Sequence, residues 1–420
     1  MKKIALKINI FLLALMGIFC LNTCKKLPPA EEFDPSNTRL HVVWSKPIFE
    51  EDAYFPEFLP PIITGRYVAA IGRQSYSVAE SRNRMFVFDK ATGEKHPAWV
   101  EGMSDDLGYW VLDFMMGDNK DILFYTTSQA LHAYSINSGQ CLWTSVYEDR
   151  YSPTFNGYPL IFGSDVIVSY CNYAVSSTYY LNLYRCTTGQ KTNLFSFDNE
   201  ILRTMQWAMN EHNDTLFFFA DAKRNVCCYN FTNDSIIWKY GSPNTEYSDF
   251  TSFQPIVVEN KYVVFQNKYH LICVDFSTGK PIWEARAGIM EDNPILYYEG
   301  KIIVRPDFGN VTCYDIRTGN LLWTSDLNVG STNMPSPPSG MVKMAAYKGN
   351  LYLLTMRDGM YSNPVYLHCL SLATGAVNWY DQGPDKNIYR GLTIDQETGY
   401  LYCYSRTKIL CVDLNKTPKK

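Results

Sequence analysis

Cysteine is the residue type whose number most invites chemistry in this chain: twelve occur in 420 residues, enough for a disulfide framework in an exported protein. Their spacing points elsewhere. Cys228, Cys273, Cys313, Cys369 and Cys411 each lie six residues before a glycine, or its equivalent, in a recurring turn. Equivalent positions of separate repeats point the same way and lie beyond the ~7 Å Cα limit for a bridge. These thiols are therefore expected as small core residues, where Ala133 stands in another copy. Cys227 beside Cys228 reads as one core thiol with a neighbour on the other side of a strand. Cys141, Cys171, Cys186 and Cys403 have no assigned place. The six histidines contain no pair at i and i+4 that would suit a metal, and His132 and His368 both fall seven residues before a turn glycine. Asp89, Asp275, Asp315 and Asp413 could pass for catalytic carboxylates, but in separate repeats they cannot share one substrate, and capping of turn N–H groups is their expected role. No glycine-rich phosphate loop and no nucleophile elbow is present.

What positions these residues is a repeat. Its clearest copy runs from Leu271 to Trp283, with Cys273, Asp275, Thr278 and Gly279 between. Val311 to Trp323 supplies Cys313, Asp315, Thr318 and Gly319; Leu367 to Trp379 supplies Cys369, Thr374 and Gly375. Earlier copies hold Val87, Asp89, Thr92, Gly93 and Trp99 with a two-residue insertion; Ala133, Ser138, Gly139 and Trp143; and Thr188 and Gly189 with Phe195 in the tryptophan's place. Cys228, Asn230, Asp234 and Trp238 form a copy without the glycine. An eighth copy begins at Leu410 and reaches Asn415, and its missing strand reads at the other end of the chain, from Leu40 to Trp44. A last sheet that takes one strand from each end would remove an open edge and seal a ring.

The motif's chemistry explains its spacing. Alternation from Leu271 to Asp275 makes a strand, Asp275 can accept turn N–H groups, and Gly279 can take the positive φ of a tight hairpin. Two more strands lie upstream, as at 255–258 and 262–265 around a turn at Glu259–Lys261. Four strands per unit predict an all-β, eight-bladed β-propeller of four-stranded antiparallel blades, closed by an N-terminal strand in the last blade. A chain this long, 15% aromatic and 19% charged, has apolar material for such a body but exceeds the ~250–300 residues that one ordinary core supports.

The pattern of Ala or Cys, Asp, Thr-Gly and Trp resembles the repeat of the pyrroloquinoline-quinone-like propellers, a superfamily that holds both the quinoprotein dehydrogenases and the outer-membrane assembly lipoprotein of Gram-negative bacteria. The resemblance extends from Leu40 to Asn415. It implies that Trp44, Trp99, Trp143, Trp238, Trp283, Trp323 and Trp379 dock between neighbouring blades. It also sets the Cys227–Cys228 pair beside the vicinal disulfide of quinoprotein alcohol dehydrogenases. Their calcium and cofactor ligands have no residue-by-residue match here, so no cofactor, metal or catalytic residue is assigned.

The N-terminus reads as an export signal: Lys2, Lys3 and Lys7 precede an apolar run from Ile8 to Phe19. Leu21-Asn22-Thr23-Cys24 resembles a lipobox, with Thr23 where Gly, Ala or Ser is usual, and makes Cys24 the expected lipidation site; a plain secreted protein is the alternative. The expected divisions are a signal peptide over 1–23, a Pro-containing tether over 24–38, the propeller over 39–417 and a tail over 418–420. Removal of the three signal lysines makes the formal net charge of −4 more negative still, which gives no electrostatic reason to bind nucleic acid.

The widest interval between turn glycines, Gly319 to Gly375, carries two long loops, 328–340 and 357–364. Long loops on a rigid frame are where binding resides. Met334, Pro335, Pro337, Pro338, Met360 and Tyr361 are the expected contacts for a protein partner in the cell envelope. The resemblance implies a monomeric, non-enzymatic scaffold, an outer membrane lipoprotein facing the periplasm and held to the membrane by its lipid alone. The alternative is a quinone-dependent dehydrogenase or a propeller that binds a small ligand such as a glycan.

Overall fold

A computed structural model describes residues 38–417, apart from 49–53, 59, 78–79, 100–110, 117–120, 128–129, 147–159, 164, 173–177, 199–202, 221–224, 242–254, 268, 288–294, 306–309, 328–343, 357–364, 382, 384–387 and 406–407. Met1–Thr38 and Arg39–Lys420 form two compact units, and all that follows concerns the second.

Its described strands form eight four-stranded antiparallel sheets. In chain order, sheet 1 lies within residues 54–89, sheet 2 within 111–146, sheet 3 within 160–198, sheet 4 within 203–241, sheet 5 within 256–286, sheet 6 within 296–326 and sheet 7 within 345–381. Sheet 8 takes three strands from Ile388–Ile394, Tyr400–Ser405 and Lys408–Asp413, and its fourth, Val42–Pro47, from the beginning of the unit. That strand starts two residues later than the alternation of Leu40–Trp44 suggests.

Sheet 5 buries both faces, which is why its third strand reads as a nearly continuous apolar run. In His270–Asp275, Leu271 and Cys273 pack with Ile302 and Val304 of sheet 6. Ile272 and Val274 point the other way, as alternate strand residues must, and pack with Phe218 and Trp238 of sheet 4. All four are at most 1% exposed. Equivalent clusters join sheets 1 and 2, 2 and 3, 6 and 7, and 7 and 8. Sheet 8 also packs on sheet 1, through Trp44, Tyr402 and Tyr404 against Phe86 and Phe88. Between sheets 3 and 4, the Trp207 indole donates to the Ile161 carbonyl at 2.7 Å.

Two sheets depart from the repeat. In sheet 1, among the described residues, no strand follows the turn at Gly93: Trp99 closes a 3-10 turn, Pro97–Trp99, because the inserted residues and a proline without an N–H cannot continue a ladder. Its fourth strand is instead Tyr54–Phe58, which pairs with the far half of Tyr67–Ser77. In sheet 3 the bulge that elsewhere immediately precedes the tryptophan is displaced: Phe195 pairs with Leu181, and Asn193 lies at the tryptophan's distance from Gly189.

Candidate functional site

The repeat turns account for the conspicuous carboxylates. Asp275 ends its strand, and its Oδ1 accepts the N–H groups of Ser277 and Thr278 at 3.1 and 2.8 Å and the Thr278 hydroxyl at 2.7 Å. Asp89 and Asp315 cap their turns in the same way, and Asp413 accepts the N–H of Asn415. Burial alone would raise the Asp315 carboxyl, but the bonds from Thr318 and Arg317 hold it below the ordinary carboxylate range.

Beyond the cap, Gly279 adopts φ +66°, and the ring of Trp238 from the preceding sheet lies on it so closely that a Cβ would fall 2.5 Å from Cδ2. The same ring-on-glycine contact sets Trp44 on Gly93, Trp143 on Gly189, Trp283 on Gly319 and Trp323 on Gly375. At Gly139 the neighbour is instead the Ala98 carbonyl, beside Trp99. Where the glycine is missing, Asp234 itself takes φ +51°. Each docked indole also donates to the carbonyl that follows the capping position: Trp44 to Lys90, Trp99 to Ile136, Trp143 to Cys186, Trp238 to Phe276, Trp283 to Ile316 and Trp323 to Leu372, at 2.6–3.0 Å.

Trp379 breaks this series. It is 4% exposed, but among the described residues no carbonyl accepts from its indole. The carbonyl in the equivalent place belongs to Leu414. Beside its ring the seam between sheets 7 and 8 holds a cavity of about 310 Å³, lined among others by Tyr347, Lys348, Tyr352, Trp379, Leu414 and Thr417. Thr417 occupies the position of the repeat glycine: its N–H bonds the Asp413 carbonyl at 3.0 Å, as that of Gly279 bonds Asp275 at 2.9 Å. The sequence carries this signal at the fourth residue after Asp413, though the repeat reading ended at Asn415.

Among the described residues no disulfide forms: Cys227 and Cys228 are buried thiols and Cys141 is exposed. Burial pushes the thiols of Cys228, Cys273, Cys313 and Cys411 up to about 12, which disfavours the reactive thiolate. Cys186 and Cys403 are buried as well. His132 meets Thr144 at 3.0 Å, and His368 stacks on Tyr380. Among the described residues no group of three metal-ligating side chains occurs.

Cys24 and the loop residues Met334, Pro335, Pro337, Pro338, Met360 and Tyr361 lie outside the described residues, but the roots of both loops are visible. Leu327 and Met344, 8% and 6% exposed, flank 328–343 in the core shared by sheets 6 and 7. Met356 pairs with Val365 at the mouth of 357–364. The pairing of Ala345 with Tyr352 and of Tyr347 with Asn350 sets that mouth at the end of sheet 7 opposite its repeat turn.

A family model described as outer membrane protein assembly factor BamB matches residues 128–296 and 292–388. The BamB of Burkholderia pseudomallei is 29% identical over 120 residues, 27% of this chain and 29% of that protein. The tetrathionate hydrolase of Acidithiobacillus ferrooxidans is 24% identical over 316 residues, 63% of this chain and 57% of that one. This chain thus spans less than two thirds of either relative. Among solved structures, BamB from Moraxella catarrhalis superposes with a TM-score of 0.61 at 14% identity, covering 89% of this chain and all of that one. At that identity the likeness speaks for the fold.

Proposed function

Because the chain belongs to the outer membrane protein assembly factor BamB family and is a propeller of the pyrroloquinoline-quinone-like type, we propose that it is a non-enzymatic, lipid-anchored scaffold that holds a protein partner in the cell envelope. The observation that carries this reading is the rooting of two long loops in sheets 6 and 7, on buried Leu327 and Met344 and on the Met356–Val365 pair. A rigid frame below a loop lowers the ordering cost of binding. Met334, Pro335, Pro337, Pro338, Met360 and Tyr361 supply apolar contacts there, and the prolines limit the entropy lost. Replacing 328–343 and 357–364 with short Gly-Ser turns tests this: capture of the partner from envelope extracts should weaken while the melting temperature holds, and undiminished capture overturns the reading.

In the same reading the eight sheets are eight blades of one ring, sealed in sheet 8 by the strand Val42–Pro47. The packing of sheet 8 on both sheet 7 and sheet 1 supports it. Cys24 carries the lipid, with the scaffold monomeric and facing the periplasm at the outer membrane. Cys24→Ser should release a folded protein from membranes washed with high salt.

The similarity to tetrathionate hydrolase over 63% of the chain favours a second reading, a quinone-dependent or other small-ligand propeller. Stoichiometric binding of the quinone with calcium, together with dye reduction, would establish it.

A further inference from the structure

We propose that the seam cavity beside Trp379 is a binding site for a small aromatic carboxylate, either a free acid or the C-terminal carboxylate of a peptide that ends in an aromatic residue. The cavity exists because the last turn does two tasks with one residue. In sheet 8 the strand after the turn comes from the far end of the chain, and Thr417 ties it in: the hydroxyl donates to the Asp413 carbonyl at 2.8 Å and accepts the N–H of His41 at 3.3 Å. A glycine has no hydroxyl for this. Elsewhere a bare glycine lets a tryptophan ring lie on the turn, where a Cβ would come within 2.5–2.7 Å. Thr417 brings a branched side chain to that place, and across this seam the Trp379 indole packs with Leu414 without bonding its carbonyl.

The consequence is an indole N–H that makes no hydrogen bond among the described residues, beside a cavity that Trp379 and Leu414 both line. A donor without a protein partner, facing a cavity of mixed polar and apolar lining, favours a ligand that brings an acceptor oxygen. The walls fix the rest of the ligand. Tyr352, with its ring 6.1 Å from that of Trp379, and Leu414 offer an apolar surface suited to an aromatic ring. At the rim stand two exposed ammonium groups. Lys348 Nζ lies 2.8 Å from Asn415 Oδ1 and 4.9 Å from the centre of the Tyr347 ring; Lys416 Nζ lies 3.3 Å from Asp413. Donors and positive charge around an aromatic wall select an anion with a flat apolar body, and about 310 Å³ is at the small-molecule end of pocket sizes.

The full chain in detergent, labelled with 15N at the tryptophan indoles, provides the test. Trp379→Phe assigns the resonance. Phenylacetate, its amide, Gly-Gly-Phe and Gly-Gly-Phe amide are the probes. The expected result is a saturable shift of the Trp379 indole signal with the two carboxylates and about tenfold weaker binding of the amides. Lys348→Met should remove most of the preference for carboxylate over amide. Tighter binding of phenylacetate identifies a free acid as the source, and tighter binding of Gly-Gly-Phe a peptide terminus. Thr417→Gly should bring the indole to the Leu414 carbonyl and abolish binding; should that variant fail to fold, Trp379→Phe, which keeps a ring but removes the donor and with it the reporter signal, should still bind about tenfold more weakly than wild type when both are titrated by calorimetry. No saturable shift up to about 10 mM of any probe, or equal affinity in wild type and Trp379→Phe, overturns the proposal.

Discussion

Trp44 and Cys411 stand opposite each other in an antiparallel pair, in the register that pairs Trp283 with Cys273, Trp323 with Cys313 and Trp379 with Cys369 inside continuous sheets. The bulge beside the tryptophan is also reproduced, between Val42 and Trp44. A strand borrowed from the far end of the sequence therefore meets the same steric and hydrogen-bonding demands as one delivered by a five-residue turn.

That identity predicts how stability is distributed. Trp44 is 7% exposed, lies 6.0 Å from Phe88 and 5.9 Å from Tyr402, and donates to the Lys90 carbonyl. Trp44→Ala should cost about 3–5 kcal/mol in denaturant unfolding. Deleting residues 39–48 should cost far more than trimming 25–37, because only the former opens sheet 8. An unchanged melting temperature after that deletion would remove the seal from the account.

The turn glycines are not equivalent. Gly279 and Gly349 have φ of +66° and +73°, but a Cβ at Gly279 meets the Trp238 ring at 2.5 Å while one at Gly349 meets nothing within 4 Å. Gly349→Ala should cost only the left-handed backbone penalty of about 1–2 kcal/mol. Gly279→Ala should add about 1–3 kcal/mol for displacing the ring, with a change in tryptophan fluorescence that Gly349→Ala lacks. Equal costs would mean that the ring moves freely and that docking contributes little.

These relationships also mark how far the sequence could be read. The Asp275-to-Trp283 spacing is legible because a cap, a left-handed residue and a docked ring each demand one residue type at one position. Sheet 1 was legible only as far as Gly93: a pattern can reveal an insertion, but whether Trp99 starts a strand or a 3-10 turn depends on the neighbouring sheet that receives it. Phe195 misled for a related reason, since its aromatic character matched while its register is set by a shifted bulge. The Trp379 cavity was out of reach because it depends on how two distant segments meet. The loops at 328–340 and 357–364 were found through length alone, a signal that says where contact occurs but not with what.

A buried ion pair couples sheet 8 to sheet 1 and predicts acid sensitivity. Lys90 Nζ lies 2.6 Å from Asp395 Oδ2, with side-chain exposures of 13% and 5%. Burial pushes the Asp395 carboxyl up, but Lys90 and the Glu397 N–H outweigh it and hold it below its ordinary value. A carboxylate depressed on folding contributes stability above its unfolded pKa of about 3.9 and loses it as pH falls through the folded value. The protein should therefore weaken below about pH 4. Lys90→Met should cost about 3 kcal/mol near neutrality by stranding a buried charge, and Lys90→Met with Asp395→Leu should recover much of that loss. Calorimetry from pH 3 to 8 distinguishes these outcomes.

His368 should govern stability in a separate and milder pH window. It is 4% exposed and stacks on Tyr380, with ring centroids 5.6 Å apart, and among the described residues neither ring nitrogen has a hydrogen-bond partner. Burial, assisted by the nearby Arg305 guanidinium, lowers its pKa from 6.5 to about 4. For a base whose pKa falls on folding, the unfolded chain binds the proton first, so stability is complete above pH 6.5 and declines as pH drops towards 4. The full decline amounts to about 3 kcal/mol for this one side chain. His368→Phe keeps an aromatic ring against Tyr380 and removes the titration, so the slope of unfolding free energy between pH 6.5 and 4 should flatten while stability at pH 8 stays within about 1 kcal/mol. His132, lowered to about 4 by burial, and His96, lowered by burial and by the Arg66 charge, supply further slope, and a variant that lacks all three imidazoles should come nearest to a flat profile. A slope unchanged in His368→Phe would mean that its ring reaches water before the sheet opens.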